Sequence, residues 1–289
     1  MNPDNLITHC ISTYNNLPYL KLAIESVRRN SYYKDAPFII HAENCTDGTN
    51  EWLEDNAEKY QLTYYLDVHV ESSKGIGGGM NFCADKVQTQ YINFLHSDFY
   101  VTKNWDKPLL DVHLTRPGEK LWVNSQRIEP NIFNGTTRPG TIMVPEEMFG
   151  AYYNDFKADA FEEWVEELQE INTYFEIPKG EGVSGIVSKE VWEEVGGNDP
   201  RFAPTSWDDM DLFVRMLQHG VKFVLPFSSI VWHFAARGSH RLEENNGQSS
   251  QRQRETEQRN IQKWAEKWGR MPTFDEYGMI KNEKTSTIL

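Results

Sequence analysis

Cysteine is scarce in this sequence. The three that occur, Cys10, Cys45 and Cys83, are odd in number and form no C-x-x-C pair. That argues against a disulfide framework and a cysteine zinc site, and it points to a reduced, cytoplasmic setting. Long apolar runs are missing as well. No stretch reaches the roughly 18 apolar residues of a membrane-spanning helix, so no transmembrane anchor is expected. The N-terminus offers no basic region followed by an apolar core, so no secretory leader is expected either. Positive charge is in deficit: 29 Lys+Arg stand against 43 Asp+Glu, a formal net of −14. Broad binding to nucleic acid or anionic membrane is disfavoured, because neutralising phosphates takes clustered Lys and Arg. Two phosphate-binding signatures are absent. G-x-G-x-x-G starts at Gly75 and Gly77 but meets Met80 at its last position, and no G-x-x-x-x-G-K-[ST] occurs. A nicotinamide dehydrogenase and a P-loop enzyme are therefore unsupported. There is no internal repeat.

What is present is apolar material for a core. Aromatics make up 13% of the 289 residues and hydrophobic residues 39%. This is a globular composition, and the length suits one large domain with an appendage. Charge is unevenly spread. Residues 237–270 hold eight Lys/Arg and five Asp/Glu, a local net of +3. Such a basic tail can hold a phosphate-bearing ligand. Residues 155–170 hold seven acids and one lysine, which reads as the solvated face of a helix.

Periodicity lays out the first half. Leu6–Ser12 and Phe38–Ala42 read as short buried strands. Between them Pro18 opens a helix with Leu20, Ala23, Ile24 and Val27 on one face. Trp52, Leu53, Ala57 and Tyr60 mark a second helix, and Leu62–Val70 a third strand. The glycine cluster 75–79 precedes a third helix over Met80–Val87, and Tyr91–Leu95 is a fourth strand. This βαβαβαβ order predicts an open, mostly parallel sheet flanked by helices. Ligands in such sheets sit beyond the carboxyl ends of the strands, where the loops after Ser12, Ala42, Val70 and Leu95 converge. The second half is less regular. Residues 111–150 read as loop-rich. An amphipathic helix is expected over 155–171, with Phe156, Ala160, Trp164, Leu168 and Ile171 inward. Val183–Val187, Val221–Leu225 and Ile230–Phe234 read as strands, and Lys189–Val195 and Asp208–Gln218 as helices. Residues 238–258 read as a polar loop or lid. Ile261, Trp264, Ala265 and Trp268 form a last helical stripe.

Four features carry chemistry, each beside a plainer reading. The glycine cluster is either a flexible turn or a backbone approach to a phosphate. Asp98 in His96-Ser97-Asp98 is either a turn cap or a ligand for Mg²⁺ or Mn²⁺ bridging phosphates. The three acids of Asp208-Asp209-Met210-Asp211 cap a helix start, or one of them is a general base. His233, at a strand end, is either structural or a ligand.

Taken in order, these pieces resemble the family 2 glycosyltransferases of the GT-A fold, over about residues 6–235. Ile11-Ser12-Thr13-Tyr14-Asn15-Asn16 is similar to that family's opening strand and nucleotide-facing loop. Glu43-Asn44-Cys45-Thr46-Asp47-Gly48-Thr49 resembles D-G-S-T-D-G-T. Lys74-Gly75-Ile76-Gly77 with Asn81 resembles N-x-G-x-x-x-A-R-N. His96-Ser97-Asp98 stands at the D-x-D position. Gly196–Phe202 resembles G-G-F-D-E-x-F, and Asp208–Leu212 with Arg215 resembles E-D-x-D-L-x-x-R. Val231-Trp232-His233 resembles the terminal metal-binding histidine segment, and Lys267-Trp268-Gly269 a K-W-G found in some members.

The resemblance implies a GT-A-like mixed sheet with a C-terminal helical extension. Residues 1–110 would be the nucleotide-sugar-binding half, 111–235 the acceptor-binding half, and 236–289 a loop or lid with a helical tail. It implies inverting transfer from a nucleotide-sugar donor, UDP-sugar favoured, to an acceptor hydroxyl. Asp98 and His233 would hold Mn²⁺ or Mg²⁺, and Asp209 would be the general base. Thr13, Tyr14, Asn15, Glu43, Lys74, Gly75, Asn81, His96 and Ser97 would surround the donor with Asp98. Gly185, Trp207 and Asp208 would face the acceptor. The acceptor is left open among a glycan, a lipid-linked sugar, a protein and a modified nucleobase in DNA. Three positions depart from the family pattern. Glu43 replaces an Asp, His96 replaces the first Asp of D-x-D, and Met80 replaces an Arg that faces the nucleotide. Lys74, Arg237 or Arg241 would supply that cation. A catalytically degenerate sugar-nucleotide-binding or scaffold protein is the competing expectation.

Overall fold

The structure, a computed structural model, describes residues 6–68, 71, 73–132, 137, 140–171, 173–177, 184–235 and 251–274. Its frame is an eight-stranded mixed sheet with helices on both faces. Strands β1 (Ile7–Thr13), β2 (Phe38–Glu43), β3 (Leu62–Asp67) and β4 (Tyr91–Leu95) run parallel in the spatial order β3-β2-β1-β4. β1 and β2 are buried at every position because helices cover both faces. The sheet then continues through β10 (Gly185–Ser188), β6 (Leu121–Val123), β11 (Lys222–Pro226) and edge strand β9 (Tyr174–Ile177). β10 is antiparallel to both β4 and β6. β11 is parallel to β6 and antiparallel to β9, so only β10 and β9 run against the rest and the sheet is mixed and mostly parallel, as expected.

Helices α1 (Leu17–Asn30), α2 (Thr49–Asn56) and α3 (Gly75–Lys86) make the crossovers. α1 has proline in its first turn and Arg28 and Arg29 in its last, both favourable for a helix with this direction. α3 starts five residues earlier than the sequence pattern predicts, because the glycines are themselves helical. At Gly79 a Cβ would lie 1.9 Å from the Ser12 hydroxyl oxygen on β1, and at Gly75 (φ +65°) 1.9 Å from the Pro204 carbonyl oxygen. The cluster is a close-packing device.

Residues 111–150 are more regular than expected. They hold the end of α4 (Asp106–Thr115), β6, β7 (Gln126–Pro130), β8 (Thr141–Val144) and the short α5 (Glu146–Phe149). Strands of three to five residues are too short to show a period. With β5 (Phe99–Val101) and β12 (Ile230–His233), β7 and β8 form a second sheet in the order β5-β12-β7-β8. α6 (Ala158–Gln169) covers that sheet with Phe161 and Val165 fully inside, while Ala160 and Ile171 are exposed, so its inner face is rotated from the expected one.

α7 (Lys189–Val195) begins where the Ser188 hydroxyl accepts from the Val191 N–H and ends at left-handed Gly196. α8 (Asp208–Gln218) and α9 (Gln251–Trp268) close the described chain. α9 takes in 251–258, so that part of the expected lid is helix, and 238–250 lie outside the described residues. β3 ends at Asp67, and His69 and Val70 of the expected third strand also lie outside. No described helix is long and apolar enough to cross a membrane.

Candidate active site

The parallel registers bring four strand ends to one edge. Thr13 pairs with Ala42, Glu43 with Asp67, and Ile11 with Leu95, so β1, β2, β3 and β4 end together. A cavity of about 320 Å³ opens there. Thr13, Tyr14, Glu43, His96, Ser97 and Asp98 form part of its wall. Gly75 also lines it, beside Pro204 and Thr205 of the segment ahead of α8. Tyr14 is 42% exposed, an aromatic face available to a flat ligand. The Thr13 hydroxyl is buried and has no hydrogen-bond partner among the described residues.

The second sheet supplies the other wall. β12 runs antiparallel to β5 with His233 opposite Phe99, and parallel to β7 with Trp232 opposite Ile128. These registers set His233 between Asp98 and Glu129. Its Nε2 lies 3.5 Å from Asp98 Oδ2, and its Nδ1 lies 2.8 Å from Glu129 Oε1. His96, Asp98 and His233 form a cluster whose ligand atoms lie within 4.8 Å of one another. His96 therefore stands beside the two expected ligands as a third candidate. The His96 Nε2 is buried without a hydrogen-bond partner among the described residues. Two imidazoles and a carboxylate, with one imidazole nitrogen unused, fit a divalent cation such as Mn²⁺.

Electrostatics favour the same reading. Burial lowers the His96 ring to about 4 despite the nearby Asp98, so it is neutral and can ligate. Burial also pulls on His233, but Asp98 and Glu129 outweigh it and push that ring up to about 9. Burial acts to raise Asp98, and the facing His233 holds it below its usual value. Without a cation, the His233 proton neutralises the cluster, and a metal would displace it.

Glu43 is occupied by the chain itself. Its carboxylate accepts from the Ser73 hydroxyl at 2.7 Å and from the Lys74 and Gly75 N–H groups at 2.6 and 3.1 Å. It pins the entry to α3 against the cavity. The Lys74 ammonium is paired with Asp67, which also accepts from His41 at 3.0 Å. Hydrogen bonds from Lys74 and then His41 hold Asp67 below the usual carboxylate range. Met80 is 1% exposed, in the core beneath the sheet, and contributes nothing to the cavity. Arg237 and Arg241 lie outside the described residues. The cation in the cavity wall is Arg252, on the first turn of α9. Arg252 is exposed at the cavity mouth, and nothing in a polar run marks which arginine borders it.

Other expected residues take structural places. Asn81 receives the Asn198 N–H at 2.8 Å and donates to the Asn198 carbonyl at 2.8 Å, joining α3 to the loop after α7. Asn15 accepts from the Thr46 N–H at 2.6 Å and ties two edge loops together. Gly185 is buried in β10, where a Cβ would meet the Val123 carbonyl oxygen at 2.7 Å. The Trp207 ring packs near Trp264 of α9, at 6.0 Å between centroids.

Ser206 and Trp207 both have left-handed backbones, with φ of 73° and 72°, directly before Asp208 and Asp209. Such strain in non-glycine residues needs surrounding structure to hold it. Asn260 of α9 supplies that, donating to the carbonyls of Phe202, Thr205 and Ser206 at 2.6, 2.8 and 3.0 Å. Asp208 is buried, and desolvation with the charges of Asp209 and Asp211 pushes its carboxyl up to about 7. Asp209 is half-buried. Asp211 is fully buried and bound to Arg215 at 2.8 Å, Lys267 at 2.6 Å and the Trp268 indole at 3.0 Å. The third acid of the run is therefore an anchor for α9.

The family model for Glycosyl transferase family 2 matches residues 8–157, half of the chain. The chain belongs to glycosyl transferase family 2. The matched span carries β1 to β8 and every cluster residue except His233. Solved structures share the fold at low identity. One is GalNAc-T7 with UDP, GalNAc and Mn²⁺, with TM-score 0.58 and 14% identity over 79% of this chain and 44% of that one. Another is S. aureus TarS 1-349 in complex with UDP, with TM-score 0.51 and 14% identity over 78% of this chain and 60% of that one. S. aureus TarS without that truncation gives 0.50 over 80% and 37%. The chain thus spans between about two fifths and three fifths of the length of the structures it matches. A search of curated proteins finds no match.

Proposed function

We propose that this family 2 chain transfers a sugar, with inversion, from a nucleoside-diphosphate donor to an acceptor hydroxyl. The observation that carries this reading is the His96, Asp98 and His233 cluster, two of whose members form the wall of the cavity beside Tyr14 and Thr13. UDP-sugar is the favoured donor and Mn²⁺ or Mg²⁺ the favoured cation. The likeness in fold to structures solved with UDP, one of them also with Mn²⁺, supports both. His96, Asp98 and His233 would hold the cation, which when bound neutralises the charge of a departing diphosphate.

The chain's own residues do the rest. Tyr14 stacks on the base and the Thr13 hydroxyl takes a hydrogen bond from, or gives one to, the nucleoside. Glu43 keeps the Ser73–Gly75 loop in place against the donor. Asp209 takes the proton from the attacking acceptor hydroxyl. Pro204 and Thr205, which line the cavity, lead directly into the turn that presents this acid. One observation favours Asp208 as the base instead, since its carboxyl sits at about 7, matched to proton abstraction at neutral pH.

Single substitutions separate the two. Asp209→Asn should lower release of UDP from UDP-sugar, with acceptor or water, by at least about 10²-fold while UDP binding persists. If Asp208→Asn does this and Asp209→Asn does not, Asp208 is the base. If neither substitution slows turnover, the assignment of the base to this turn is wrong.

A further inference from the structure

We propose that Arg252 is the phosphate-facing cation of the donor cavity, so that the C-terminal helix completes the nucleotide site. This rests on the donor reading above and adds a residue from outside the span matched to the family. The first reason is charge. The cavity wall carries two acids, Glu43 and Asp98. A nucleoside diphosphate brings further negative charge, and like charges in a partly desolvated site repel. Arg252 is the one lysine or arginine in that wall among the described residues. Lys74 is committed to Asp67, and Met80 is buried in the core.

The second reason is that the helix carrying Arg252 is firmly seated. Gln253 donates to the Ser206 hydroxyl at 2.9 Å, and Asn260 holds the 202–206 segment through three carbonyls. Lys267 bridges Asp199 and Asp211 at 2.7 and 2.6 Å. Trp264 is buried against Phe202. These contacts fix the first turn of α9 beside Pro204 and Thr205, on the cavity's rim. The third reason is an unused group in the same cavity. The Thr13 hydroxyl is buried, with 4% of the residue exposed, and lacks a partner among the described residues. The cavity thus has an unpartnered polar atom in its wall and the exposed Arg252 at its mouth, whose guanidinium has a planar fork that suits phosphate oxygens.

The test uses the full chain with Mn²⁺. UDP, GDP, CDP and dTDP are titrated by calorimetry, and each matching nucleoside is followed by ligand-observed NMR. Arg252→Ala should weaken the preferred diphosphate on the order of tenfold and leave its nucleoside unchanged. Arg252→Lys should recover part of the loss, since it keeps the charge and loses the fork. Arg254→Ala, on the same helix but not in the cavity wall, removes the same charge and should bind as the wild type. Equal diphosphate binding by Arg252→Ala and wild type would overturn the proposal. So would a parallel loss of nucleoside binding, which would mean that Arg252 only shapes the cavity. A wild type that binds none of the four diphosphates overturns the donor reading itself, and Arg252 with it. The wild-type arm therefore tells the two failures apart.

Discussion

His233 shows how one side chain is given its role by its neighbours. Glu129, buried on β7, accepts a hydrogen bond from the His233 Nδ1–H at 2.8 Å, while Nε2 lies 3.5 Å from Asp98. A carboxylate behind a ligating imidazole fixes its tautomer and raises its basicity. Glu129→Gln should therefore weaken Mn²⁺ binding to the otherwise intact chain by about 10- to 100-fold, read by calorimetry with the metal alone. Unchanged affinity would show that Glu129 does not orient the ring. Asp98 and His233 are legible in the sequence through their motif positions. Glu129 is not, since it becomes a neighbour only through the pairing of β7 with β12. His96 is legible as a departure from D-x-D, but its value as a third ligand depends on the turn that folds it back toward His233.

At the scale of elements, the glycine-rich start of α3 is a packing solution. Gly79→Ala would drive a methyl into Ser12 on β1, where the Cβ would lie 1.9 Å from the hydroxyl oxygen. A loss of about 1–3 kcal/mol is expected in urea unfolding, and an unchanged midpoint would show that α3 can shift away. α9 makes the matching case at the other end of the chain. Asn260→Ala removes the amide N–H groups shared among three carbonyls of a strained loop and leaves buried carbonyls to find other partners. Turnover should fall more than donor affinity, because the loop leads into Asp208 and Asp209. Parallel losses in both would point to general unfolding. The sequence marks α9 by Trp264 and Trp268 but conceals its polar face. Gln253, Thr256 and Asn260 are buried there at helical spacing, and polar residues do not register as a core pattern. The short strands β6, β7 and β8 are hidden for a different reason, since pairing rather than periodicity defines them.

For the whole molecule, buried titratable groups set the response to pH. Burial lowers His9, His96 and His113 to about 3, 4 and 4. Each takes a proton in the unfolded chain below about pH 6.5 but not in the folded one, so each costs stability as pH falls. Burial first, then neighbouring acids for Asp208, raises Asp106 to about 6 and Asp208 to about 7. These two bind protons in the folded state and oppose the trend. Three groups against two leave unfolding near pH 5 coupled to uptake of about one proton. His233, raised to about 9, contributes stability that is full below about pH 6.5 and lost as pH rises toward 9. Urea unfolding in EDTA should therefore show greatest stability near pH 6.5, with lower values at pH 5 and pH 8.5. A maximum at either end would contradict the assignment of these groups. The parallel half of the sheet is legible in the sequence because helices and strands alternate in it. The other half is not, because its partners are far apart in the chain, as with the parallel pair β6 and β11. In the proposed function, the strand ends and the second sheet together build a cation-dependent nucleotide site. The deciding measurement is calorimetric titration of the full chain with UDP, in Mn²⁺ and again in EDTA. Binding in Mn²⁺ that weakens strongly in EDTA is the predicted result, and equal UDP binding in both, or none in either, would contradict it.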